Sequence, residues 1–314
     1  LISYYDETYG DLRVAHCENT NCTTVTTTAP GTFSIATSNV GMFTSVTIDS
    51  DGMGLISYWG HTNGGLLTVR LSVPRPIGIA YYDQTNDSLK FANGSSTWNA
   101  AITDWTTQTV YQDSSSNNGQ YTDVVYDASA STFHISYFSP TGLGTLNHVT
   151  GTWDNISQEY QWSSPVEIAG GSSTLRYSAL VLDSDGRPHV VFRQGGAIKH
   201  AWALWSAATN SWSWTPMTVE VIQSGVGSAG GVDLITGAAN SLHISFYDSS
   251  PGTLKYASAS YHSANDSWAW QVESIDGSSS LDVGEYSAIT IDESGVVFIA
   301  YYDATNGNLK IAHN

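Results

Sequence analysis

Positive charge is scarce in this sequence of 314 residues: Lys and Arg number 10 against 28 Asp and Glu, for a formal net charge of -18. A surface of that sign repels phosphate backbones and other polyanions at long range, so nucleic acid is not expected as a partner. No run of eighteen apolar residues occurs, which excludes a membrane-spanning helix. The first residues also lack the basic start and apolar run of a signal peptide, and the chain opens without Met and in mid-motif, so it reads as a mature or excised segment. Cysteine is limited to Cys17 and Cys22, in the stretch HCENTNC. A metal centre using His16 with these two lacks a second Cys or His pair at zinc spacing. A hairpin would instead bring the pair to disulfide distance, and a disulfide is expected. Sequence signatures of catalysis are missing as well. There is no GxSxG, HExxH, P-loop or dinucleotide fingerprint.

What is present is apolar and aromatic. The chain is 41% hydrophobic, with 11 Trp and 18 Tyr, enough to bury a large core, and it is rich in Ser, Thr, Asn and Gly. That balance suits a secreted β-rich protein, so an extracellular or cell-surface location is expected. Five Asn-x-Ser/Thr triplets, at Asn21, Asn86, Asn93, Asn155 and Asn265, are candidate glycosylation sites, although a chain so rich in Ser and Thr produces such triplets by chance.

The strongest signal is an internal repeat. One phrase recurs as LISYYD (1 to 6), LISYWG (55 to 60), GIAYYD (78 to 83), HISYFS (134 to 139), HVVFRQ (189 to 194), HISFYD (243 to 248) and FIAYYD (298 to 303). Its third letters are spaced by 54, 23, 56, 55, 54 and 55 residues, so one interval is short by half a unit. In a full unit an alternating run such as YSAITID leads through a tight polar turn into the refrain, which makes a hairpin. A second turn leads to a third run (LKIAH, LKYAS, IKHAW), and a loop leads to a Trp-bearing fourth (WTTQTVY, WSSPVEI, WTPMTVEV, WAWQVES). Four short strands in about 55 residues, with no helical period, predict an all-β fold: one β-propeller domain over residues 1–314, with six or seven blades, the seven refrains pointing to seven. The short interval is read as a unit without its third and fourth strands, residues 66 to 83 aligning with 43 to 60 as a first and second strand.

The phrase ISYYD followed by LRVAHC or LKIAH resembles the tandem repeats of secreted bacterial and archaeal β-propeller proteins. The resemblance covers nearly the whole chain and implies a fold, since such propellers serve as lectins, adhesins, surface-layer parts and enzymes.

Individual residues are weighed against this repeat. Asp6, Asp83, Asp248 and Asp303 end the refrain before turn residues, where a carboxylate caps the turn by bonding its own backbone; calcium ligation is the functional alternative. Calcium is therefore the one cofactor left open. His134, His189 and His243 recur at the head of the same strand, which favours a structural bond to the neighbouring turn. The paired Trp of SWSW and WAW read as packing between outer strands. Positions where the refrain breaks are not dictated by blade architecture, and Trp59, His61, Arg193 and Gln194 form the candidate ligand surface. No catalytic residue and no metal site is assigned. A sialidase-like enzyme would show Ser-x-Asp-x-Gly-x-Thr-Trp turns, but these turns read DSDGMG, DSDGRP and DESGVV, and the arginines are scattered.

The expectation is a non-catalytic binding or adhesion propeller whose ligand is a glycan or other cell-surface group. Its rival is a structural subunit of a filament, sheath or surface layer, self-assembled through edge strands. A glycan-degrading enzyme is the third reading.

Overall fold

The computed structural model describes the strand backbone within residues 2–70 and, with side chains, residues 77–314 apart from 95–104, 114–116, 141, 155, 173–174, 208–210, 216–217, 228–229, 263–266 and 279. Alternating β-branched and aromatic residues between polar turns form strands throughout. In chain order they make consecutive antiparallel sheets. The first holds β1 (Ile2–Asp6), β2 (Asp11–Cys17) and β3 (Val25–Thr26), and the second β4 (Val40–Ile48), β5 (Gly54–Gly60) and β6 (Gly65–Arg70). The third is β7 (Ile77–Asp83), β8 (Ser88–Gly94) and β9 (Thr106–Tyr111). The fourth runs β10 (Gln120–Asp127), β11 (Thr132–Ser139) and β12 (Thr145–Asp154), whose long outer edge takes both β13 (Glu159–Trp162) and β14 (Val166–Gly170). The fifth is β15 (Arg176–Leu182), β16 (Pro188–Gln194) and β17 (Ala197–Trp202). A separate ribbon, β18 (Leu204–Ser206) with β19 (Ser211–Ser213), precedes its fourth strand β20 (Val219–Ser224). The sixth holds β21 (Val232–Thr236), β22 (Leu242–Asp248), β23 (Thr253–His262) and β24 (Ser267–Asp276). The seventh holds β25 (Val283–Ile291), β26 (Val297–Asp303) and β27 (Asn308–His313). Every refrain sits in a sheet of its own.

The short interval is built differently from its sequence reading. Residues 65–70 form the third strand of the second sheet, with Gly60 opposite Gly65 and Leu55 opposite Arg70. The described residues therefore lack a fourth strand in that sheet and a first strand in the next. LLTVRLSV alternates well enough for either role, and the tight connection from Gly60 to Gly65 decides it by placing the run against β5.

The chain divides into two compact units, residues 1–79 with 91–108 and residues 80–90 with 109–314. In the second unit the first strands β10, β15, β21 and β25 lie side by side. Second strands are the most buried, β16 being closed on both faces from Pro188 to Arg193, whereas fourth strands such as β20 and β24 are largely open to solvent. A strand buried on both faces belongs to a sheet covered on both sides. Apolar clusters fill the spaces between neighbours: Phe138, Leu146 and Ile168 against Leu180 and Phe192, then Val191, Ile198 and Trp202 against Leu234, Ile244 and Phe246. Leu254 packs against Val283, Ile289 and Ile299. Among the described residues no helix is long and apolar enough to cross a membrane.

Candidate functional site

The first strands carry the feature with most chemical content. Their sequences align as YTDVVYD, YSALVLD, GVDLITG and YSAITID, so Asp123 and Asp233 stand where the alternate units have Ala179 and Ala288. Each aspartate ties its strand to the first strand of the next sheet. Asp123 Oδ1 accepts from Val124 N at 2.8 Å and Oδ2 from Leu180 N at 2.7 Å. Asp233 Oδ1 accepts from Leu234 N and Oδ2 from Ile289 N, both at 2.9 Å. Neither side chain is fully closed off, yet each is enclosed by protein, and burial pushes Asp123 up to about 6 against these hydrogen bonds. Burial pushes Asp233 up to about 7, and the charge of Asp123 adds to it. Two carboxylates thus lie near enough to sense each other, with unequal proton affinities.

Just before these positions the backbone bulges. Tyr121, Tyr177 and Tyr286 take left-handed φ values of 50°, 53° and 51°, each at a register shift in its strand. A bulky residue held in that region is strained, and the same strain repeats in three sheets. Tyr121 and Tyr177 meet with ring centroids 5.1 Å apart, and Tyr286 is 64% exposed. Burial and the Asp282 charge raise Glu285, which lies near enough to Tyr177 and Tyr247 to raise both phenols further. The cleft beside Tyr247 and Asp282 has a volume of about 320 Å³, and its Tyr247 hydroxyl donates to Asp282 Oδ1 at 2.5 Å.

The refrain residues are placed as follows. Asp83, Asp248 and Asp303 accept backbone N–H bonds from Thr85 and Asn86, from Ser250 and from Asn306, at 3.0 to 3.2 Å. Each also lies 3.8 to 3.9 Å from a third-strand lysine: Lys90, Lys255 and Lys310 respectively. In the fifth sheet Gln194 takes the aspartate's place and still accepts from Lys199 Nζ at 2.8 Å, while its amide donates to Gly170 O at 3.0 Å. Arg193 is fully buried. Its guanidinium donates to the carbonyls of Gly230, Val226, Gly227 and Tyr247 at 2.6 to 3.2 Å. The refrain tyrosine it replaces makes the same link elsewhere: Tyr82 reaches Asn117 at 2.7 Å, as Tyr247 reaches Asp282. Arg193 and Gln194 are thus committed to holding sheets together. Trp59 lies in β5, Asp6 in β1 and Cys17 in β2, with their side chains outside the described residues; His61, Cys22, Asn21, Asn155 and Asn265 lie outside them altogether, and the expected disulfide with them. Asn86 caps Asp83 through its side chain at 2.7 Å, and Asn93 accepts from Thr106.

The recurring histidines form buried chains. His189 lies 3.2 Å from Asp183 in the preceding turn and 3.1 Å from His200, which lies 2.9 Å from Glu220; Trp270 Nε1 donates to the same Glu220 oxygen at 2.6 Å. His134 meets His148 at 3.1 Å, and His243 meets the Tyr256 hydroxyl at 2.6 Å. Among the described residues no three His, Cys, Asp or Glu converge on a metal position. Of the paired Trp, Trp214 and Trp268 are buried while Trp212 and Trp270 are half-buried, and Trp205 is exposed.

Repeat reasoning missed Asp123 and Asp233 because it looked for breaks in the second strand. A signal was present in the first strand, where a carboxylate alternates with alanine.

The sequence matches no known protein-family profile and no curated protein sequence. Solved structures do resemble the fold. A protein from Lactobacillus plantarum superposes with a TM-score of 0.52 at 14% identity, covering 99% of this chain and 93% of that one. A NanB sialidase of Streptococcus pneumoniae gives 0.49 at 13%, over 85% of this chain, which spans 54% of the sialidase chain. The endo-arabinase of Bacteroides thetaiotaomicron gives 0.44 at 10%, covering 86% and 92%. The sialidase and the endo-arabinase carry the names of glycan-cleaving enzymes, so the expectation of a non-catalytic binding or adhesion module is corrected to this extent: the fold does not exclude catalysis. Refrain letters repeated for packing say nothing about chemistry placed on another strand. The similarity itself establishes an all-β, propeller-like fold.

Proposed function

We propose that this chain is a glycan-degrading enzyme, hydrolysing glycosidic bonds on a seven-bladed propeller scaffold. The observation that carries the reading is the Asp123 and Asp233 pair, two enclosed carboxylates on the first strands of the fourth and sixth sheets, both raised by burial and Asp233 further by the charge of Asp123. Glycoside hydrolysis needs one carboxylic acid that stays protonated to deliver a proton to the leaving oxygen, and one carboxylate that acts as base or nucleophile. Asp233, raised to about 7, is assigned as the acid and Asp123, raised to about 6, as its ionised partner. Tyr121, Tyr177 and the exposed Tyr286 offer flat apolar ring faces suited to stacking on sugar rings. The net charge of -18 favours neutral glycans over polyanionic ones.

The test is incubation of the purified chain with a panel of neutral polysaccharides, followed by assay of new reducing ends. Shortened chains are expected, with Asp233→Asn and Asp123→Asn each lowering kcat by at least about a hundredfold while the variants remain folded. The acid must be protonated and its partner ionised, so kcat/KM is expected to peak between about pH 6 and 7 and fall on both sides. Intact glycans across the panel, or full activity in both variants, would overturn the assignment.

A further inference from the structure

The third-strand lysine and its refrain partner are present in the third, fifth, sixth and seventh sheets and replaced in the fourth. There Tyr137 pairs across the ladder with Asn147, in the register that sets Tyr301 opposite Lys310 in the seventh sheet. The refrain aspartate is Ser139. In the seventh sheet the site is full: Lys310 bonds Asp276, Asp276 accepts from the Tyr301 hydroxyl at 2.7 Å, and Asp303 lies 3.8 Å from the ammonium. Asp113 stands before β10 as Asp276 stands before β25. The lysine is missing here, and a cleft of about 150 Å³ opens, lined by Asp113, Asn118, Tyr137, Ser139, Thr145 and Asn147 among others.

A second observation comes from Tyr137. Its side chain is 1% exposed and borders the cleft, yet its hydroxyl has no hydrogen-bond partner among the described residues. The equivalent hydroxyl of Tyr301 is satisfied by Asp276. A polar group so enclosed is ordinarily paired, and one left open toward a cleft marks a place for a partner from outside.

We propose that this cleft binds a ligand bearing a primary ammonium among hydroxyl groups, an amino sugar residue, with the ammonium taking the place of the deleted lysine. Asp113 supplies the negative charge that Asp276 gives Lys310. The Tyr137 hydroxyl faces the ligand's hydroxyls, while Asn118 Nδ2 donates to Asp113 Oδ1 at 3.1 Å and Asn147 Nδ2 to Thr145 Oγ1 at 2.9 Å, contacts that hold the carboxylate and the threonine at the cleft wall. The cleft, of about 150 Å³, takes the ammonium-bearing edge of a sugar ring and leaves the remainder of the ring toward solvent. This inference stands apart from the hydrolysis reading, since it concerns different residues and calls for no bond cleavage.

Calorimetric titration of the intact chain at pH 6 with glucosamine, and in parallel with glucose, tests it. Saturable millimolar binding of glucosamine and none of glucose is expected, because the two differ at the ammonium. Asn147→Lys restores the lysine of the other sheets, so it is expected to fold with an unchanged or raised Tm and to weaken glucosamine binding at least tenfold. Asp113→Asn is expected to weaken it comparably. Failure of the wild type to bind glucosamine, equal binding of glucose, or undiminished binding in folded Asn147→Lys would each overturn the proposal.

Discussion

Arg193 carries a charge into a place closed to water and meets it with four backbone carbonyls. Burial lowers its proton affinity, although the charge of Asp248 acts against that. The carbonyls belong to the loop before β21 and to β22, so one side chain ties down a glycine-rich segment whose Val226 is its anchor in the core. Truncating it strands several buried acceptors at once, which costs more than losing a single exposed bond. Arg193→Leu is expected to destabilise the protein by about 3 kcal/mol in denaturant unfolding, and Arg193→Lys to recover little, since an ammonium cannot reproduce the fork. Asp233 gives a prediction with a sign. Its proton affinity is raised on folding, so the native state holds more protons than the unfolded state from about pH 4 to 7, and this group's contribution falls as pH rises through that window. Asp233→Asn removes the slope. Its deficit relative to wild type, read from Tm against pH, is therefore expected to be smaller at pH 8 than at pH 5.

The fourth and seventh sheets each begin at a glycine pressed against the sheet before it. Gly119 and Gly284 both take φ of 109°, and a Cβ would lie 2.9 Å from Leu89 Cα in the first case and 2.7 Å from Leu254 Cα in the second. Both obstacles are backbone and cannot swing away. Gly307, with φ of 68° and open space around it, is the control. Gly284→Ala is expected to cost about 3 kcal/mol and Gly307→Ala about 1 kcal/mol, a difference that thermal unfolding of the two variants resolves. At this scale much was legible in the sequence. Refrain, turn and third run became strand, capped turn and strand because alternation and Asp-led turns are local properties. The loop identities around the short interval were not, since LLTVRLSV satisfies two strand roles and only pairing with β5 selects one. Arg193 and Gln194 looked like departures from the repeat. Their partners, the carbonyls near Gly227 and the ammonium of Lys199, show that the links persist with new chemistry. The Asp123 and Asp233 pair needed the first strands set side by side, which no single run of sequence announces.

For the whole molecule, buried imidazoles dominate the response to acid. Burial holds His134 and His189 down to about 4 and His200 to about 3, and pushes His148 well below its ordinary value. An unfolded histidine takes its proton near pH 6.5, so the unfolded state binds more protons than the native state between about pH 6.5 and 4. Stability contributed by these four groups is present above that window and lost as pH falls through it. Asp123 and Asp233 act in the opposite direction over much of the same range. Glu220 and Glu285, also raised by burial, act with the aspartates, and His243 acts with the imidazoles. The four deeply buried imidazoles outweigh the carboxylates, so Tm is expected to drop from pH 6.5 to 4, and His200→Gln is expected to flatten the curve.

The sheets described above are each assembled from strands that follow one another in the chain. That locality bears on how the protein comes into being during synthesis. A newly made stretch finds its pairing partners within a few tens of residues, so a sheet can zip up before its successor has left the ribosome, and the slow search for distant partners is largely avoided. The polar ties between sheets follow the same direction of travel. Asp123 and Asp233 wait on earlier strands for the amides of Leu180 and Ile289, which arrive later, so each finished sheet presents an acceptor that the next one docks onto.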